Sequence, residues 1–274
     1  KRGKQTVVRI QRLPPPAAID PQPVDQAQLG DRDLAQWILS AGADCMVQFE
    51  NLDRTTIRSP APVPDAEFKL IGIFLSGDRK WSDADIAHLG KPPHLTSLQT
   101  LSSGNSITEK GLRMISQMQT LESLTLSCPR ITNQDLATLL DLKQLRQLHL
   151  GFASQLTDSE LGMFSALPEL EDLKVQHGHF TEAGLRSLFV SQGMKSIDLG
   201  DLDVTDAGLA SMVDAWPDLE RLATGEGLQV LRQLPRLGFL LLRNCNHVTP
   251  EGVNALKHAM PRCQVMINLP AQGM

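Results

Sequence analysis

The chain has 274 residues, 41% of them hydrophobic, with 26 Lys and Arg against 31 Asp and Glu for a net charge of −5. This is enough apolar material for one large domain or two small ones, and the acidic balance argues against a nucleic-acid partner, which would need a basic face. No apolar run approaches the roughly 18 residues of a membrane span and nothing near the start resembles a signal peptide, so no membrane insertion is expected of this sequence.

The first residue is Lys1 rather than Met, which leaves room for a targeting or membrane segment upstream, and the compartment stays open. Cys45, Cys128, Cys245 and Cys263 are too few for a disulfide framework and form no C-x-x-C pair, so they read as buried free thiols. Aromatics make up 4% with no Tyr, a poor basis for a surface that stacks bases or grips sugars.

Residues 1–30 contain Pro14, Pro15, Pro16, Pro21 and Pro23 and little apolar periodicity. They read as an extended or disordered linker. Asp31 is placed to cap a helix carrying Leu34, Trp37, Ile38 and Leu39 and stopped by Gly42, and Cys45–Glu50 reads as a strand. Residues 31–67 are therefore expected to form a small αβ cap.

From residue 68 the chain repeats with a period near 24: L-x-x-L-x-L, a polar loop, an apolar residue, Thr, then Leu at helical spacing. Full copies are Leu121, Leu124, Leu126, Ile131, Thr132 and Leu136; Leu145, Leu148, Leu150, Leu156, Thr157 and Leu161; Leu170, Leu173, Val175, Phe180, Thr181 and Leu185; and Met194, Ile197, Leu199, Val204, Thr205 and Leu209. The first copy is Leu70, Ile73, Leu75, Trp81, Ser82 and Ile86; a weaker second one reads Leu98, Leu101, Ser103, Ile107, Thr108 and Leu112. After Leu219 and Leu222 the pattern is cut short by ATGEGLQV. It returns at Leu237, Leu240, Leu242, Val248, Thr249 and Val253, and Cys263, Val265 and Ile267 open an unfinished copy. About eight repeats and a final strand fill residues 68–268, and 269–274 form a tail.

L-x-L alternation makes a short strand with its leucines on one side. Thr or Ser then serves as helix N-cap: Thr157 with Glu160 makes a capping box, and Pro250 follows Thr249 at the first helical position. Leu161, Phe164 and Leu167 give the helix an inward face. One unit cannot enclose its own leucines, so units must stack, strands on the concave side and helices on the convex side.

These segments, with Phe180-Thr181-Glu182-Ala183-Gly184-Leu185 and Val204-Thr205-Asp206-Ala207-Gly208-Leu209 as the clearest, resemble the cysteine-containing leucine-rich repeats of F-box/LRR proteins; Cys128 and Cys245 stand where that subtype has its cysteine. Asp31–Phe49 resembles the lead-in to LRR regions of bacterial proteins, some linked to Ser/Thr kinases. The resemblance implies an α/β fold: a right-handed leucine-rich repeat solenoid with a parallel concave sheet, convex helices and the N-terminal cap. No kinase motif and no F-box occurs here, so neither activity carries over.

Candidate chemical sites are weak. Cys128 and Cys245 would lie five repeats apart, about 24 Å at the strand spacing and beyond disulfide reach. Cys245 with His247 is too sparse for zinc, and His177 and His179 beside Glu171 and Asp172 read as a polar loop. Asp198, Asp201, Asp203 and Asp206 imitate a calcium loop but lack its alternation, central Gly and distal Glu. No catalytic residue, metal ligand or cofactor is expected, and an open solenoid seldom supplies a dry pocket with convergent groups.

The concave face is where a function can be argued. Its central column is expected to run Phe74, Ser102, Thr125, His149, Lys174, Asp198, Ala223, Leu241 and Met266. Thr100, Ser123, Gln147, Asp172, Ser196, Arg221 and Phe239 flank it, then Ser127, Gln176 and Arg243. Phe239, Leu241 and Met266 beside Arg221 and Arg243 have hot-spot composition, unless the C-terminal end covers them. The expected function is non-catalytic binding of a protein or peptide, alone or as the recognition part of a larger signalling protein. His149, Lys174, Asp198, Arg221, Phe239, Leu241, Arg243 and Met266 are the contact candidates. A carbohydrate- or small-ligand-binding module and a purely structural spacer are the alternatives, and a monomer is favoured.

Overall fold

A computed structural model describes residues 29–76, 79–101, 106–127, 132–154, 156–199, 206–224, 230–243, 254 and 257–268. The linker through residue 28, Cys128, Cys245, His247, Thr249-Pro250, the loop with Asp201 and Asp203, and the tail lie outside them.

The chain opens with helix α1 (Asp31–Ser40) and strands β1 (Asp44–Phe49), β2 (Arg54–Ile57) and β3 (Phe68–Leu75). Strand and helix then alternate: α2 (Asp83–Leu89), β4 (Ser97–Thr100), α3 (Glu109–Ile115), β5 (Ser123–Ser127), α4 (Asn133–Ala137) with a 3-10 turn Thr138–Asp141, β6 (Gln147–Gly151) and α5 (Asp158–Phe164). There follow β7 (Asp172–Val175), α6 (Glu182–Ser187), β8 (Ser196–Asp198), α7 (Asp206–Ala215), β9 (Arg221–Thr224), a 3-10 turn Val230–Gln233, β10 (Phe239–Arg243) and β11 (Gln264–Asn268). Among the described residues the eleven strands form one open sheet, parallel from β3 to β11, with the β1–β2 hairpin added antiparallel at the β3 edge.

The leucine grammar becomes the core. Ile73, Leu98, Leu124, Leu148, Leu173, Ile197, Leu222 and Leu240 are paired strand to strand and all are buried. From the helix side Ile86, Leu112, Leu136, Leu161 and Leu185 meet them, so each repeat closes its neighbour's apolar face.

The second copy is three residues out of the expected register. Leu95, Leu98 and Thr100, not Leu98, Leu101 and Ser103, are its inward residues; Leu101 is 54% exposed and Ser103 is outside the described residues. Leading positions then step by 25 and 26 from Leu70 through Leu95 to Leu121, in place of 28 and 23. Thr100 can replace a leucine because its hydroxyl accepts the Ser127 N–H at 3.3 Å, so its polar atom is satisfied inside. Gln99 therefore takes the central concave place expected for Ser102, and Thr100 leaves the flanking column. Ser127 is also corrected: it is buried against Gly151, whose missing Cβ would stand 3.1 Å from the Ser127 Oγ.

At the cap, Gly30 and not Asp31 is the N-cap of α1. The Asp31 carboxylate reaches outside its helix, accepting the Leu70 N–H at 3.1 Å and standing 3.0 Å from His94 Nδ1. Arg32 donates to the carbonyls of Pro64, Asp65 and Ala66, so Asp31 ties α1 to the first repeat and Arg32 ties it to the segment that leads there. Gly42, at φ 84°, closes the helix as its sequence implies.

The convex helices carry the cap chemistry. Ser82/Asp85, Thr132/Asp135 and Thr157/Glu160 are capping boxes; only the last is foreseen from sequence. A second device links repeats. The Asp83 carboxylate at the start of α2 accepts from the Thr108 N–H (2.8 Å), the Thr108 hydroxyl (2.6 Å) and the Gly111 N–H (3.0 Å) of α3. Asp158 of α5 does the same for Thr181 of α6, at 2.7 and 2.6 Å.

Candidate functional site

Strand pairing fixes what faces the concave side. The central column is Phe74, Gln99, Thr125, His149, Lys174, Asp198, Ala223, Leu241 and Met266; beside it run Gly72, Ser97, Ser123, Gln147, Asp172, Ser196, Arg221, Phe239 and Gln264. Neighbouring strands lie about 4.8 Å apart, so charges in one column or on its diagonal are within reach of each other.

The middle of the face is electrically self-satisfied. Lys174 Nζ stands 3.5 Å from Asp198 Oδ2, across the β7–β8 step. His149 Nε2 stands 3.3 Å from Asp172 Oδ2, close enough for an ion pair but off-line for a well-formed hydrogen bond. Burial pushes the Asp172 carboxyl up, but His149, the Ser196 hydroxyl and the Arg221 charge outweigh it and hold the group below the ordinary Asp value. A further ladder runs along the strand starts, where Glu171 meets Arg146 at 3.2 Å and Lys195 at 2.9 Å. Glu171 is thus engaged with Arg146 and Lys195, and Asp172 with His149, rather than with His177 or His179.

The C-terminal end differs. The Arg221 guanidinium lies over the Phe239 ring, 5.2 Å from its centroid. Leu241 is half-buried and pairs in register with Met266, which is 48% exposed. Among the described residues no carboxylate is within ion-pair distance of Arg221. Arg243 sits at its register position opposite Asn268 on β11, and its side chain lies outside what is described.

Sequence reasoning missed one surface pair. Phe152 and His177 follow β6 and β7 at equivalent places, both with positive φ (56° and 64°), and their rings stack at 5.6 Å with an interplanar angle of 6°. Phe152 is 43% exposed. The signal available was the repeat alignment itself, which puts two flat rings one strand spacing apart.

Other places offer less chemistry. A cleft of about 600 Å³ lies at the N-terminal cap, away from the concave face, lined by Gly30, Asp31, Arg32, Phe68 and His94 among others. Its Asp31 and Arg32 are already committed to holding α1. Among the described residues there is no group of three His, Cys, Asp or Glu able to hold a metal ion, and no helix long and apolar enough to cross a membrane. Cys45 is buried, and burial with the nearby Asp44 charge pushes its thiol up to about 11, so it is a poor nucleophile at neutral pH.

No family model and no curated protein matches the chain. Among solved structures it is similar to the internalin InlF of Listeria monocytogenes, at a TM-score of 0.51 and 20% identity, over 73% of this chain and 55% of the internalin. The chain thus spans about half the length of that relative. It is more distantly similar to internalin C2 of Listeria monocytogenes (TM-score 0.42, 15% identity, 66% of this chain and 87% of that one) and to a leucine-rich repeat protein of Leptospira interrogans (0.41, 18%, 68% and 52%). At such identities the likeness speaks to fold alone. It agrees with the strand ladder and buried leucines: the chain folds as a leucine-rich repeat solenoid.

Proposed function

We propose that the chain is a non-catalytic scaffold that binds a protein or peptide on its concave face, with His149, Lys174 and Asp198 lining the middle and Arg221, Phe239, Leu241, Arg243 and Met266 as the anchoring end. The observation that carries this reading is the contrast along one surface: charges in the middle pair with each other, whereas the end presents Met266 and an Arg221 held over the Phe239 ring to solvent. Aromatic and Arg side chains grouped with apolar ones are the composition that dominates binding energy. The cysteine-containing subtype of the repeat belongs to the same reading, resting on the positions of Cys128 and Cys245 in the sequence.

The test is site-specific photocrosslinking in the native cell extract, with the crosslinker at Gln264 on the concave side or at Val190 on the convex side. The same partner should be captured from Gln264 only, and lost in a Phe239→Ala, Leu241→Asp variant whose circular dichroism and melting temperature match the parent. Capture that survives the double substitution, or is equal from Val190, overturns the reading.

A further inference from the structure

Resting on the concave-face reading, we infer that the C-terminal end of that face recognises an extended partner segment carrying a single acidic side chain within two to four residues of an aliphatic one. The argument is charge complementarity confined to a small area. On the concave strands Lys174 is answered by Asp198, and Asp172 by His149 and Ser196, so the middle of the face has little unpaired charge to offer. Arg221 influences Asp172 through space but bonds to no carboxylate among the described residues. Its guanidinium sits over the Phe239 ring, 5.2 Å from the centroid, a cation–π contact that uses none of its N–H donors. A guanidinium is a planar fork and favours a carboxylate, which it can hold with two parallel bonds.

The distance to the apolar contacts sets the spacing. Arg221, Phe239 and Gln264 share one row across β9, β10 and β11, and Leu241 and Met266 share the next row. Two strand steps of about 4.8 Å separate the β9 column from the β11 column, which an extended chain rising about 3.3 Å per residue crosses in about three residues. An acidic side chain on Arg221 therefore puts a residue two to four positions away over Leu241 and Met266. The chain's own net charge of −5 repels a strongly acidic polypeptide, so one carboxylate in an otherwise neutral segment is what the site selects.

The test is selection of a random twelve-residue peptide library on the full chain, followed by affinity measurement on synthetic winners. Winners should carry one Asp or Glu with Leu, Ile, Val or Met two to four residues away, and should lose binding to the Phe239→Ala, Leu241→Asp protein. Replacing the acid by its amide, or Arg221→Gln in the protein, should each weaken binding about five- to tenfold, and the two together no further. Winners that need the apolar patch but show no acidic preference, or an Arg221→Gln effect equal for acidic and amide peptides, overturn this inference and leave the concave-face reading standing. Winners indifferent to the double substitution overturn both, and a library that yields no winner overturns the inference.

Discussion

Gly184 offers a test in which the sign of a stability change decides. In an ordinary helix interior Gly→Ala stabilises by about 1 kcal/mol, because alanine loses less backbone entropy on folding. A Cβ on Gly184, however, would stand 2.2 Å from Asp158 Oδ1, 2.6 Å from its Cγ and 2.9 Å from its backbone Cα. The carboxylate must swing away and release the Thr181 N–H and hydroxyl, which it holds at 2.7 and 2.6 Å. Each bond to a charged acceptor is worth about 1.5–3 kcal/mol when buried. Thr181 is exposed, water takes over part of the loss, and a cap deletion of about 2 kcal/mol is the better guide. With the helix gain set against it and the α5 backbone forced to yield, Gly184→Ala should destabilise by about 1–3 kcal/mol. Gly162→Ala is the internal control: its nearest atoms are the Ser187 Oγ and Cβ, at 3.3 and 3.4 Å, so it should be neutral or stabilising. Urea unfolding followed by Trp fluorescence and circular dichroism measures both at unchanged slope. Asp158→Ala combined with Gly184→Ala should cost little more than Asp158→Ala alone, a coupling of about 1–2 kcal/mol. A stabilising Gly184→Ala, or strictly additive effects, would refute the claim that this glycine exists to admit the neighbouring carboxylate.

The revised register predicts that Leu98→Ala costs about 2–5 kcal/mol in urea unfolding while Leu101→Ala, on an exposed side chain, stays within about 0.5 kcal/mol; equal losses would restore the original register. Glu160 is only 2% exposed. Burial pushes its carboxyl up, but bonds from Ser159 and from the Thr157 N–H and hydroxyl prevail and hold it below the ordinary 4.5. A depressed folded value means its stabilisation is complete above the unfolded value and is lost as pH falls through the folded one. Glu160→Gln should therefore flatten the acid limb of midpoint against pH below about pH 5, and an unchanged limb would contradict the assignment. At Phe152, glycine relieves a left-handed backbone that costs about 1–2 kcal/mol and sacrifices a ring stack worth about 0.5–1.5 kcal/mol. Phe152→Gly should thus melt higher than Phe152→Ala, and the opposite order would remove the strain from the account.

The sequence made the solenoid legible because its signal is repeated: an inward leucine lost in one copy is restored by its neighbours in register. The same redundancy explains the slip at the second copy. L-x-x-L occurs twice in Leu95–Leu101, and the deciding third position is a threonine, whose fitness for the core depends on a Ser127 N–H in the next strand. No local pattern carries that information. The Thr-Asp/Glu-x-Gly-Leu segments were recognisable as grammar, but the reason for the glycine lay in a carboxylate some 25 residues earlier.

The candidate surface divides along the same line. Which residues share a strand face follows from period-2 alternation, and seven of the eight contact candidates, all but Arg243, hold the strand positions that alternation gives them. How those residues interact follows from lateral pairing, which alternation does not encode. Lys174 and Asp198 read as two free charges for a partner until β7 is laid beside β8, whereas Arg221, expected from sequence to belong to a hot spot, is found over the Phe239 ring once β9 is laid beside β10. The consequence for binding is a difference between the middle and the end of the face. A charge already paired must break that pair before it serves a partner, whereas a guanidinium in contact with an aromatic ring starts without that cost. Affinity should therefore be more sensitive to Arg221 than to Lys174 or Asp198.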